Sequence, residues 1–154
     1  MADTDEDGAR RALDRLLKET RLGVLATEGA DGPYTSLVGV APLDGCDRIA
    51  FATDRGTTKY TNLKRNPRAS IMLDNRAAQG EDLDTVTAIT VVGRAGEVSD
   101  ELHSRARGLL EERLPQLTEF LAEGECAVMT LDVEWCRVVS GFQSGQDTQT
   151  DIEA

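Results

Sequence analysis

Aromatic residues are scarce. Three Phe, two Tyr and one Trp make up 4% of 154 residues, so the core must be built from Val, Leu, Ile and Ala. There is one histidine, His103, and three cysteines, Cys46, Cys126 and Cys136, with no CxxC spacing. That inventory predicts no metal site and no disulfide framework, and reads as reduced thiols in a cytoplasmic protein. No apolar run approaches the ~20 residues of a membrane helix. The start, Met-Ala-Asp-Thr-Asp-Glu-Asp, is acidic where a signal peptide is basic and then apolar. Positive charge is also short: 17 Lys and Arg stand against 28 Asp and Glu, a net charge of −11. This argues against nucleic acid or anionic membrane as the partner.

What is present reads as one small β-rich domain over residues 9–142, with a disordered tail at 1–8 and a polar tail at 143–154. A first helix is predicted from Ala9, with Ala12, Leu13, Leu16 and Leu17 as its apolar stripe. Strands are predicted at 22–27, 34–42, 48–53, 69–74 and 85–98, and two more at 126–131 and 134–142. In the second strand Thr35, Leu37, Gly39 and Ala41 face one way and Ser36, Val38 and Val40 the other. Residues 75–84 read as a polar loop, and Gly93 and Gly96 as marks of a bulge or bend. Ser99 is the predicted cap of a helix that carries Asp100 and Glu101 in its first turn and ends at Pro115. Six to seven mostly consecutive strands with flanking helices predict a mainly β (α+β) fold, an antiparallel barrel.

The most informative stretch runs from Phe51 to Pro67. Ile49, Phe51 and Thr53 alternate with Ala50 and Ala52 as in a buried strand, and Asp54-Arg55-Gly56 breaks it. Thr57 is the predicted N-cap of a helix, and Pro67 ends that helix at Asn66. Unpaired amides and a partial positive charge make a helix start a site for anions. Thr57 and Thr58 add hydroxyls and Lys59 adds a full charge. Between Asp54 and Arg68, the cations Arg55, Lys59, Lys64, Arg65 and Arg68 face Asp54 alone, a local excess of four positive charges in an acidic chain. A solvated helix face would carry similar residues; a bound phosphate is the sharper reading.

The order of short motifs supports it. A leading helix is followed by Leu25-Ala26-Thr27, Gly32-Pro-Tyr-Thr-Ser-Leu-Val38, Phe51-Ala-Thr53, Thr58-Lys59, Asn62-Leu63, Asn66-Pro-Arg-Ala-Ser70 and a Val-rich strand ending at Gly93. This order resembles the pyridoxamine 5′-phosphate oxidase-like superfamily, FMN-binding split β-barrels, over about residues 10–98. The run from Asp132 to Phe142 is similar to the barrel-closing strand of the branch that includes haem-utilisation proteins. The resemblance implies a homodimer with FMN in a groove at the subunit interface. Thr58 and Lys59 fall on the family's phosphate-binding pair, Thr53 at a strand end near the flavin, and Ser36, Leu37 and Val38 on the strand beside its ring and ribityl chain. Arg55 and Thr57 complete the candidate cofactor-binding set, and Trp135 and Arg137 fall where they would reach the partner's ligand. The sequence departs from the vitamin B6 oxidase itself: Ala88 stands where that enzyme has Gln, and its C-terminal Arg-and-His motif is missing.

No side chain stands out as a general acid or base, so hydride or electron transfer on FMN by an oxidoreductase of unknown substrate is the leading expectation. The alternatives are a haem-binding protein on the same barrel, with His103 as the one histidine ligand available, and a non-catalytic flavin-binding or sensing protein.

Overall fold

The computed structural model describes residues 2–80 and 82–141. Alternation of apolar and small or polar residues gives six strands: β1 (Leu22–Gly29), β2 (Gly32–Pro42), β3 (Arg48–Asp54), β4 (Arg68–Asp74), β5 (Thr87–Glu97) and β6 (Cys126–Ser140). All neighbours are antiparallel, and the sheet closes on itself in the order β1-β2-β3-β6-β5-β4. The expected antiparallel barrel with flanking helices is therefore the observed one. Its interior is aliphatic, as the shortage of aromatics requires. Leu25, Val40, Ile49, Ile71, Ile89 and Leu131 are fully buried there, with Phe51 the sole aromatic among the largest fully buried side chains described.

Five α-helices flank the barrel among the described residues: α1 (Ala2–Glu19), α2 (Thr58–Arg65), α3 (Arg76–Gln79), α4 (Asp100–Arg113) and α5 (Thr118–Ala122). The i, i+4 stripe of α1, with Ala9, Leu13, Leu16 and Leu17, joins the barrel core. α1 begins at Ala2, not at Ala9, so the stretch expected to be disordered is helical. α4 and α5 make a second layer, where Ala106, Leu110 and Leu121 cover Ala41, Ala50 and Val128 on the outer side of β2, β3 and β6. β3 is thus buried on both faces, which explains its small outward residues.

Three local expectations change. The two final strands are one, β6, because it pairs with β3 along residues 126–132 and with β5 along 129–140. The break expected at 132–133 is absent, and beside it Glu134 is the extra residue of a bulge, since Val92 faces Trp135 while the adjacent Gly93 faces Val133. The loop at 75–84 holds the short helix α3. Ser99 occupies the N-cap of α4 but makes no side-chain capping bond; its carbonyl accepts from the Leu102 and His103 amides. The last turn of α1 carries Lys18, which pairs with Asp14 at 2.6 Å. Arg113 of α4 closes that end of the helix, donating to the carbonyls of Leu17 and Thr20, and to that of Val40 in β2. Phe142 and the expected tail at 143–154 lie outside the described residues.

One feature of the sheet positions the site. β2 pairs with β3 only over Val40–Pro42, whereas residues 32–39 pair with β1 alone. The two strands part just where β3 hands the chain to α2. Leu63 anchors α2 in the core, and buried Asn62 donates to the Thr27 hydroxyl of β1 at 3.0 Å.

Candidate functional site

The turn entering α2 is held by its own side chains. The Asp54 carboxylate accepts from the Gly56 amide at 2.6 Å, and the Asp54 carbonyl from the Thr57 hydroxyl at 2.7 Å. Thr57 Oγ1 in turn accepts from the Tyr60 amide at 3.4 Å, the bond expected of an N-cap, and lies 2.8 Å from Thr53 Oγ1. Asn66 ends the helix as its C-cap. Thr58 and Lys59 are then the first two helical residues, where backbone amides have no acceptor within the helix.

A cavity of about 420 Å³ opens beside this helix start. One wall is the β1–β2 hairpin, Gly29 to Tyr34; the other is Gly56, Thr57, Thr58, Thr61, Asn62 and Arg65. Thr58, Thr61 and Arg65 share the wall because their i, i+3, i+7 spacing puts them on one helix face. Arg65 is exposed and takes part in no ion pair among the described residues. Asp31 on the hairpin supplies one opposing charge. Thr61 and the hairpin tip are new to the site, and Arg65, part of the basic run in the sequence, joins the cofactor-binding candidates here. The helical spacing from Thr58 was the available signal for Thr61 and Arg65.

The other candidate residues fall in different surroundings. Lys59 sits half-buried in the first turn, outside the cavity lining. Thr53 is buried and its hydroxyl serves the turn. Arg55 also lies outside the lining. Its guanidinium donates to both carboxylate oxygens of Glu97, at 3.3 and 2.9 Å, and to the carbonyls of Gly124 and Cys126, each at 3.1 Å. Tyr60 donates its hydroxyl to the same Glu97. The Arg55 bond, followed by that of Tyr60, holds the Glu97 carboxyl below the usual carboxylate range, and the same pairing raises the Tyr60 phenol.

Along β2 the side chains alternate. Val38 points into the core and Leu37 outward, 64% exposed, while the Ser36 hydroxyl is buried with no hydrogen-bond partner. Leu37 begins a row that crosses the outer face of the sheet strand by strand: Leu37, Val24, Met72, Thr90, Arg137. Arg137 lies over the Trp135 ring at 5.7 Å. His103 is exposed on α4, and no cluster of His, Cys, Asp or Glu among the described residues could hold a metal ion. Nor is any described helix long and apolar enough to cross a membrane.

A closed antiparallel barrel that splits between its second and third strands, with a capped helix starting at the split, defines a split-barrel protein. The family model of pyridoxamine 5′-phosphate oxidase matches residues 9–139, and the chain belongs to that family. Among solved structures, a haem-binding protein from Mycobacterium smegmatis superposes with a TM-score of 0.78 at 26% identity, covering 88% of this chain and 55% of that one. The present chain thus spans little more than half of that protein. HutZ, the haem storage protein of Vibrio cholerae, gives 0.68 at 20% identity over 80% of this chain and 89% of its own. An FAD-binding protein from Mesorhizobium loti gives 0.66 at 21% identity over 82% and 91%. No curated protein matches the sequence.

Proposed function

We propose that this protein binds FMN and works as a flavin-dependent oxidoreductase. The flavin phosphate sits at the start of α2, and the rest of the cofactor runs along β2. The observation that carries this reading is the split itself: β2 leaves β3 beside a helix start rich in hydroxyls and cations. The residues fit a phosphorylated flavin. Thr58 and Lys59 offer first-turn amides, a hydroxyl and an ammonium; Arg65 and Thr61 add a cation and a hydroxyl from the cavity wall. The buried Ser36 hydroxyl lacks a partner that a ribityl or ring oxygen would supply. Thr53 and Thr57 hold the turn, and Arg55 acts through Glu97 instead of touching the ligand. When bound, flavin supplies hydride and electron transfer; the chain binds it, orients it and shields it.

The outer row from Leu37 to Arg137 supports a homodimer closing over this groove, with Trp135 and Arg137 directed to the partner's ligand. An apolar residue as exposed as Leu37, amid Val24 and Met72, is what such an interface would cover.

The test is the visible spectrum of the purified protein before and after adding FMN. Flavin bands are expected, with affinity reduced about ten- to a hundredfold in Lys59→Ala, the loss of a charge-assisted bond of about 1.5–3 kcal/mol. A flat spectrum after FMN addition would reject the proposal. Bound FMN without turnover of NADH or NADPH would make the protein a flavin carrier or sensor.

A second reading, haem binding on the same barrel, has the 26% likeness to the mycobacterial haem-binding protein in its favour. It needs an axial ligand, and the only histidine is exposed on α4. A Soret band on haem titration would support this reading, and its loss in His103→Ala would identify the ligand.

A further inference from the structure

We propose that Glu97 is the positioning residue of the anion site: its carboxylate pins both sides of the Thr58–Lys59 pair. The inference rests on the function proposed above and assigns a role to residues that touch no ligand. Glu97 ends β5, and two residues from the α2 region converge on it. Arg55, three residues before Thr58, forms a two-pronged bond with it. Tyr60, one residue after Lys59, donates its hydroxyl to the same carboxylate. The remaining donors of Arg55 hold the carbonyls of Gly124 and Cys126, and its own amide donates to Glu125 O at 2.9 Å. The turn entering α2 is therefore tied to the end of β5 and the start of β6 together.

The groups that face Glu97 are Arg55, Tyr60 and, at longer range, Lys64, whose ammonium lies 5.9 Å from the Tyr60 ring centroid. Its strand neighbour on β6, Met129, carries no charge. Without Glu97 the guanidinium of Arg55 loses both its carboxylate bonds, and Tyr60 loses its anchor. The first-turn amides would then no longer be aimed at one point, and directional donors weaken steeply when misaligned.

Charge alone predicts the opposite effect of a mutation. Removing a carboxylate near an anion site lowers repulsion, so Glu97→Gln should tighten FMN binding if Glu97 acts only through its field. If Glu97 positions the helix, the same change weakens binding about tenfold, and Tyr60→Phe, which cuts one tie, weakens it less. FMN titration of both variants at neutral pH gives the sign, with the melting temperature of each recorded alongside. Unchanged or tighter binding in Glu97→Gln overturns the proposal.

Hydrogen exchange at the amides of Arg55, Thr57 and Thr61, which donate to the carbonyls of Glu125, Asp54 and Thr57, measured without ligand, separates this proposal from the one beneath it. Faster local exchange in Glu97→Gln, with other amides unaffected, shows the pin even if the wild type takes up no FMN. In that case the flavin assignment fails and the clamp stands as a tie on α2 alone. Unchanged exchange overturns the clamp whatever FMN does.

Discussion

Gly93 lies hard against the carbonyl of Asp132. A Cβ placed on Gly93 would come 1.9 Å from that oxygen and 2.8 Å from its carbon. The clash is with backbone, at the bulge where β5 and β6 change register, so no rotamer change relieves it. Gly93→Ala should cost about 3 kcal/mol, the upper part of the usual overpacking range. In a chain of this length that lowers the melting temperature by on the order of 10 °C. Gly96→Ala, three residues along, meets nothing within 4 Å and is the control; calorimetry of the two variants checks the pair.

Leu37→Glu places a charge in the middle of the exposed apolar row. If that row is the dimer face, analytical ultracentrifugation will find the wild type dimeric and the variant monomeric at the same concentration. Melting of the isolated subunit should change little, because Leu37 is already exposed in it. A dimeric variant would move the interface elsewhere.

The Glu97 network also sets a pH dependence. The Glu97 carboxyl is held below its ordinary value by Arg55 and Tyr60. The stability it contributes is therefore present above the unfolded value of about 4.3 and is lost as pH falls through the lower folded value. The Tyr60 phenol is raised by the same carboxylate. Its contribution is present below about pH 10 and is lost as pH rises through the raised folded value. The difference in melting temperature between wild type and Glu97→Gln should be level from about pH 5 to 9 and shrink at both ends. The effect will be small, since the network is exposed to solvent; a difference that stays level through acid and alkali would remove Glu97 as its source.

Sequence alone carried most of the barrel, because its signals are local. Ile49, Phe51 and Thr53 alternate with small residues, Asp54-Arg55-Gly56 turns the chain, and Thr57 caps at the expected place. The face Thr58, Thr61, Arg65 is written in helical spacing. Other features depend on distant partners. Arg55 looked like an anion ligand because Glu97, 42 residues later, could not be known as its acceptor. Residues 132–133 read as a break between strands because a bulge on one strand shows only against the register of the other. The helical start of α1 was hidden because a run of acids suits both a solvated tail and a helix N-terminus.

Arg113 has a bearing on the order in which the molecule assembles. Its guanidinium holds the carbonyls of Leu17 and Thr20 across 96 and 93 residues of sequence, and that of Val40 across 73. α1 leaves the ribosome before α4, but its last turn gains these donors only after β2 to β5 have been made and α4 has docked. A nascent chain cut short before α4 would carry an N-terminal helix frayed at its end, and closure of the loop from α1 to α4 is an entropic cost that local structure cannot remove. A helix made early is thus completed by one made much later.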